Sequence, residues 1–304
     1  MTGPAISPAA GAMLLALATL WGGSFFFAEI ALEEVPPLTV ALHRVFWAVP
    51  LLFVVIRLRG IALPRSPRIW GGYLVMGALN NAIPFSLIFW GQTRIDSGLT
   101  AILNGTTAVF GAVLAGLLLT DEPLTPRKIG GALLGLAGVA AIMGPGALTG
   151  LDPTQLAQLA VLGGAMSYAL ASVWARLALH GTRPEMNALG MLTCSTALMV
   201  PVVLLADGVP SVALSPHVWA ALLSLSGLST GLAYLLYFAI LVRAGAANLM
   251  LVTLMIPPFA VTLGAAVLGE RLSPGAILGF GLIALGLVTT DGRLLAWMRG
   301  RMSV

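Results

Sequence analysis

The chain has 304 residues, 59% of them hydrophobic and only 9% charged, with a mean hydropathy of +1.00; a water-soluble domain carries charge on about a quarter of its residues, so this is an integral membrane protein. The net charge of +4 is spread through short loops without a dense basic cluster, which excludes a nucleic-acid partner. A single cysteine, Cys194, allows neither an internal disulfide nor a thiolate metal site.

Apolar stretches of about 17 to 25 residues are long enough to cross a bilayer, and ten are expected. The first, near 9 to 29, follows no basic residues and runs past the length of a cleavable signal, so it stays as a span; it carries Trp21, Gly22, Gly23 and Ser24. The second, 37 to 56, holds His43 and Arg44, the one strongly polar pair within a span. In the third, 69 to 92, spacings of four, three and four put Asn81, Phe85, Ile88 and Gln92 on one helical stripe. The fourth, 97 to 120, contributes Asn104 and Thr107, and the fifth, 128 to 144, has Gly131 and Gly135 at four-residue spacing.

The sixth, 155 to 178, holds Tyr168 and Ser172; the seventh, 186 to 206, holds Cys194, read as a small buried hydrophobe. The eighth, 216 to 241, presents Thr230, Tyr234, Tyr237 and Leu241. The ninth, 246 to 268, places Pro257 a turn after Thr253, where the lost backbone donor is expected to bend the helix. The tenth, 274 to 290, has Gly275 and Gly279, small residues that let helix backbones approach closely in lipid, as in the fifth.

Lys and Arg set the orientation. Loops after even-numbered spans, with the C-terminal segment, hold twelve basic residues, the opposite loops hold only Arg94 and Arg271, and Arg44 lies within a span. Both termini are therefore expected in the cytoplasm.

The last five spans repeat the first five. At an offset of 149, Pro67 and Trp70 fall on Pro216 and Trp219, Phe89 on Phe238 and Phe110 on Phe259; after a one-residue slip, Glu122, Pro126 and Gly131 fall on Glu270, Pro274 and Gly279. The expected repeats are 1–148 and 149–304. Five spans per copy make the copies enter the membrane in opposite senses, the architecture of a transporter with a midplane site. The fold expected is all-α, ten transmembrane helices in two inverted five-helix repeats.

Trp21-Gly22-Gly23-Ser24, Arg44-Val45-Phe46, and Pro257-Pro258-Phe259 with Leu268-Gly269-Glu270-Arg271-Leu272, then Gly279, Leu282-Ile283 and Gly286, resemble the drug/metabolite transporter superfamily, EamA type, across both halves. The first copy departs from the pattern: it lacks the proline at Thr107-Ala108-Val109-Phe110 and has Thr120-Asp121-Glu122 at its end. Within the superfamily the chain looks most like the YddG-like exporters of aromatic amino acids.

Polar residues far from span ends are costly in a bilayer and mark function or helix-packing contacts. The two stripes, with Trp21, Ser24, Tyr168, Ser172 and Asn104, read either as the wall of a central cavity or as packing groups. Pro257 is a gate or a plain kink. Arg44 either ties the second span to Glu29, Glu33 or Glu34, or attracts a substrate carboxylate beside His43. Glu122 and Glu270 are expected to cap the following helix or to pair with Arg127 or Arg271.

The spans hold no Asp or Glu away from their ends, which argues for facilitated export and leaves proton antiport as its rival. No catalytic, nucleotide-binding or metal motif is present, so no enzyme activity, metal or cofactor is expected. The reading is a cytoplasmic-membrane exporter of aromatic and other apolar amino acids, partnered by substrate and lipid, with no obligatory protein partner. A drug or metabolite efflux transporter of the same fold, proton-coupled, is the alternative.

Overall fold

The computed structural model describes residues 7–120, 122–144, 152–249 and 252–291, without the side chains of 245–248 and 291. The division expected between residues 148 and 149, and the C-terminal basic residues used for orientation, lie outside the described residues.

All regular structure among the described residues is helical, and the protein is a multi-pass membrane protein. Eight helices are long and apolar enough to cross a bilayer: α1 (Pro8–Ala31), α2 (Pro37–Leu58), α3 (Pro67–Gln92), α4 (Ser97–Leu118), α5 (Pro126–Met143), α6 (Pro153–Ala178), α7 (Pro184–Ala206) and α8 (Pro216–Ala244). Two shorter apolar helices follow, α9 (Val252–Leu268) and α10 (Pro274–Thr290).

Eight of these helices begin on proline, whose fixed φ suits a first helical position where no backbone donor is needed. The helices from Pro67, Pro126, Pro153 and Pro184 start two residues ahead of the expected spans. Ser7, Thr125 and Asp152 accept from the backbone amide three residues on, and Gln155 returns the bond to Asp152, closing a capping box.

Two other helices are capped by carboxylates from distant segments. At α2, where Pro36 offers no side chain acceptor, Asp207 from the end of α7 accepts from the Thr39 amide at 3.1 Å and its hydroxyl at 2.7 Å. At α4, where Asp96 makes no cap, Glu270 accepts from the amides of Ser97 and Gly98, each at 2.9 Å. Gly269, at φ +71°, reverses the chain after α9 and delivers that carboxylate. Glu270 thus caps α4, not the helix that follows it. Glu122 pairs with Lys128 at 3.7 Å and with Arg176, not with Arg127.

These contacts mark two ends of the bundle. At an acidic end, Glu33 meets His217 at 3.0 Å and Glu34 accepts from the Ser215 amide at 2.8 Å, joining the α1–α2 loop to the start of α8. Hydrogen bonding to Ser215 holds the Glu34 carboxyl below its ordinary range. At the opposite, basic end, Glu122 meets Arg176, and Arg59 meets Glu185 at 3.6 Å.

Packing relates the two halves of the chain. α2 lies against α7, α4 against α9 and α5 against α10, while α1 packs on α8 and α9, and α6 on α3 and α4. In the α5–α10 pair the small residues face one another. A Cβ on Gly138 would come within 2.7 Å of the Gly279 carbonyl oxygen, and one on Gly286 within 2.6 Å of the Gly131 carbonyl oxygen, so only glycine admits this approach. Gly22 does the same for α1, where a Cβ would lie 2.7 Å from Phe259 Cβ. Large apolar side chains such as Leu133, Leu136, Ile277 and Leu278 stay on the outside, where lipid replaces water.

Among the described residues three helices contain a wider, π-helical turn: α3 at Ala78–Ala82, α8 at Gly227–Leu232 and α9 at Gly264–Leu268. The first two begin 149 residues apart, the repeat offset seen in the sequence. α9 stays helical through Pro257 and Pro258. The helical assignment is interrupted in α2, at Trp47, and in α4, at Gly105 and Thr106, where the hydroxyls of Thr106 and Thr107 bond the carbonyls of Leu103 and Asn104 at 2.7 Å and compete with the helical ladder.

Candidate functional site

A cavity of about 460 Å³ lies among α1, α2, α3, α4, α6, α7, α8 and α9. It extends toward the basic end, where Leu179, Pro184, Asn187, Leu241 and Leu249 line it. Among the described residues the acidic end contributes none to the lining; there the Asp207–Thr39, Glu270–α4 and Glu34–Ser215 contacts bind the helices together.

Trp21, Ser24, Arg44, Phe85, Ile88, Asn104, Tyr168, Thr230, Tyr234, Tyr237 and Pro257 all line this one space, as do Thr107 and Thr253. Aromatic rings cluster in its wall. Trp21 lies 6.0 Å from Tyr237, Phe85 6.3 Å from Tyr168, and Tyr234 6.4 Å from Tyr237, centre to centre, spacings typical of edge-to-face aromatic clusters.

Three expected residues lie outside the lining. Asn81 is wholly buried and donates to Ser195 Oγ at 2.8 Å, tying α3 to α7. The physical reason is the π-turn at Ala78–Ala82: it holds one residue more than an α-turn, so a stripe drawn at α-helical spacing through Phe85 reaches Asn81 when the cavity face is at Asn80. Asn80 does line the cavity and donates to the Tyr234 hydroxyl at 3.2 Å. The same shift in α8 brings Ser229 to the lining beside Thr230. The adjacent polar pairs Asn80-Asn81 and Ser229-Thr230 were the available signal in the sequence; the extra residue between stripe positions was not.

His43 turns away from the cavity, its Nδ1 accepting from Trp47 Nε1 at 2.9 Å and its ring edge-on to Trp219 at 5.7 Å. Ser172 is on an exposed face of α6 and bonds the Ala169 carbonyl at 2.7 Å.

Arg44 is the charged residue of the lining. Its Nε donates to Thr230 Oγ1 at 3.2 Å, and its Cζ stands 4.0 Å from the centre of the Phe85 ring and 5.8 Å from that of Phe89. The three carboxylates expected as its partners are engaged elsewhere: Glu29 with Gln92, Glu33 with His217, Glu34 with Ser215. Among the described residues no carboxylate reaches the guanidinium. A buried guanidinium stays charged, so the aromatic faces and one hydroxyl hold a cation whose terminal nitrogens remain available for an anion. Two further polar atoms of the lining, Asn104 Oδ1 and Ser229 Oγ, are buried without a hydrogen-bond partner among the described residues. The cavity can therefore offer a cation, a free acceptor and a free hydroxyl within an aromatic enclosure.

Comparison with known proteins gives a consistent picture. The model of the EamA-like transporter family matches the chain twice, over residues 9–144 and 155–290. The uncharacterized transporter YoaV of Bacillus subtilis (strain 168) is 25% identical over 275 residues, covering 90% of this chain and 94% of its own. A "probable amino-acid metabolite efflux pump" of Escherichia coli (strain K12) is 25% identical over 292 residues, covering 91% and 93%. One solved crystal structure superposes with a TM-score of 0.67 at 20% identity, covering 95% of this chain and 98% of that one, a likeness of fold.

Proposed function

Because this chain belongs to the EamA-like transporter family, we propose that it exports aromatic and other apolar amino acids across the cytoplasmic membrane by alternating access. The observation that carries the reading is Arg44: a cation within an aromatic cavity, free of any carboxylate among the described residues. A substrate carboxylate supplies the missing counter-charge. Its side chain lies among Trp21, Phe85, Tyr168, Tyr234 and Tyr237, while Asn104 and Ser229 take up the donors and acceptors of its polar end.

The helices form two inverted five-helix repeats in this reading. Support comes from the double match to the family, from the π-turns at corresponding positions of α3 and α8, and from the pairing of helices. Exchanging α1–α5 with α6–α10 turns the α1–α9 contact into α6–α4 and the α3–α6 contact into α8–α1. The basic end faces the cytoplasm, with both termini on that side. The cavity then opens inward, with the acidic end closed.

Counterflow of labelled phenylalanine and tryptophan in proteoliposomes tests the reading. Accelerated exchange of both, blocked by neither sugars nor nucleosides, is the result expected. Exchange of an unrelated organic cation with no exchange of amino acids would overturn it in favour of drug efflux.

A further inference from the structure

Gln92, at the acidic end of α3, is only 3% exposed. Its Nε2 donates to the Phe25 carbonyl and to Glu29 Oε2, both at 3.0 Å. A carbonyl can only accept, so the contact with Phe25 fixes which way the amide points. Its Oε1 is left buried with no donor among the described residues.

Glu29 is half-buried on α1, and the charged groups acting on it are all acidic. They are Glu270 from the turn between α9 and α10, Asp96 ahead of α4, and Glu33 a turn further along its own segment. His217 of α8 is taken by Glu33, and Arg44 of α2 is held at Phe85 and Thr230. An ionised Glu29 would therefore set an anion among carboxylates and beside an unpaired acceptor, an arrangement that costs free energy on both counts. A proton on Glu29 removes both costs. The carboxyl O–H donates to Gln92 Oε1 while Gln92 Nε2 still donates to Glu29 Oε2, closing an acid–amide pair with two hydrogen bonds.

We infer that Glu29 and Gln92 form a proton-binding site that fastens α1 to α3 and keeps the acidic end of the cavity closed while Glu29 is protonated. The site sits directly over the cavity, since Phe25 lies one turn from Glu29 on α1 and Ile88 one turn from Gln92 on α3, and both line it. Opening separates α1 from α3, exposes Glu29 to water and releases its proton there as the carboxylate forms. Closing takes a proton up again, so the inward and outward arrangements differ by one bound proton. This rests on the alternating-access reading but not on the identity of the substrate.

Infrared spectroscopy of the purified protein tests the inference without a substrate. The wild type at neutral pH is expected to show the carbonyl band of a protonated carboxylic acid that disappears in Glu29→Gln. In Gln92→Leu the band is expected to persist at a shifted position, because the carboxyl keeps its proton but loses its amide partner. Glu33→Gln, at the exposed end, should leave the band in place. A wild-type spectrum without a protonated carboxylic acid from neutral to mildly acidic pH would overturn the proposal. So would a band unchanged in both Glu29→Gln and Gln92→Leu, each of which reports independently if the other fails to fold.

Discussion

The guanidinium of Arg44 lies on the face of Phe85, 4.0 Å from Cζ to the ring centre, so the charge of this cavity and its aromatic surface are in direct contact. A cation on an aromatic face is worth about 2 kcal/mol when desolvated, and a planar, forked guanidinium also accepts a carboxylate through two parallel bonds.

Arg44→Lys replaces that fork with a compact ammonium. The affinity for phenylalanine is expected to fall about tenfold or more, equivalent to about 1.4 kcal/mol, while phenylalanine amide, which has no carboxylate, changes little. Competition in counterflow measures both. Equal losses for the two ligands would assign Arg44 to helix packing.

Phe85→Leu retains most of the side-chain volume and removes the ring under Arg44. Transport is expected to drop severalfold, with the protein still inserted and monodisperse. Tyr234→Phe removes the hydroxyl that Asn80 donates to, an effect of about 1 kcal/mol, and should lower affinity about fivefold. Wild-type flux in both variants would show that these rings only pack helices.

Glu270→Gln withdraws charge from a carboxylate that accepts two amides of α4. Helix caps of this kind contribute about 1 kcal/mol, and the thermal midpoint in detergent should fall. Asp96 moves the other way. Partial burial and the charge of Glu270 raise its pKa above the ordinary carboxylate range, so the folded state holds this proton more tightly than the unfolded chain.

Stability contributed by Asp96 is then greatest in acid and is lost as pH rises through its raised folded-state value. Asp96→Asn is expected to be more heat-stable than the wild type at neutral pH, the gap closing as pH falls toward 4. A gap independent of pH would mean that the carboxylate is not what strains this corner.

Gly279→Leu puts a side chain where the Gly138 carbonyl now sits, a Cβ alone reaching 2.6 Å. Overpacking of this order costs about 1 to 3 kcal/mol. The thermal midpoint should fall more than in Gly281→Leu, since a Cβ on Gly281 meets nothing within 4 Å.

Much of this was legible in the sequence because the bilayer forces it. Hydrophobic length gave the helices, and eight prolines marked their starts to within two residues. Glycines at four-residue spacing in α5 and α10 announced a close approach, and the helices meet each other there. What escaped reading depended on contacts between distant segments: that Asp207 caps α2 and Glu270 caps α4 follows from how helix ends meet in space. Asn80 and Ser229 escaped for a local reason, since nothing in the composition of α3 or α8 announces a turn of a different pitch. Glu29 lies near the end of α1, and its carboxylate meets Gln92, 63 residues away, a contact that spacing along the chain does not announce.

The matched wide turns of α3 and α8 bear on how the protein arose. A wide turn at the same register in each half is what a doubled ancestral unit would leave. Deleting Asn81 would return this turn to α-helical pitch, with Asn80 and Phe85 still on one face, and would remove the tie to Ser195.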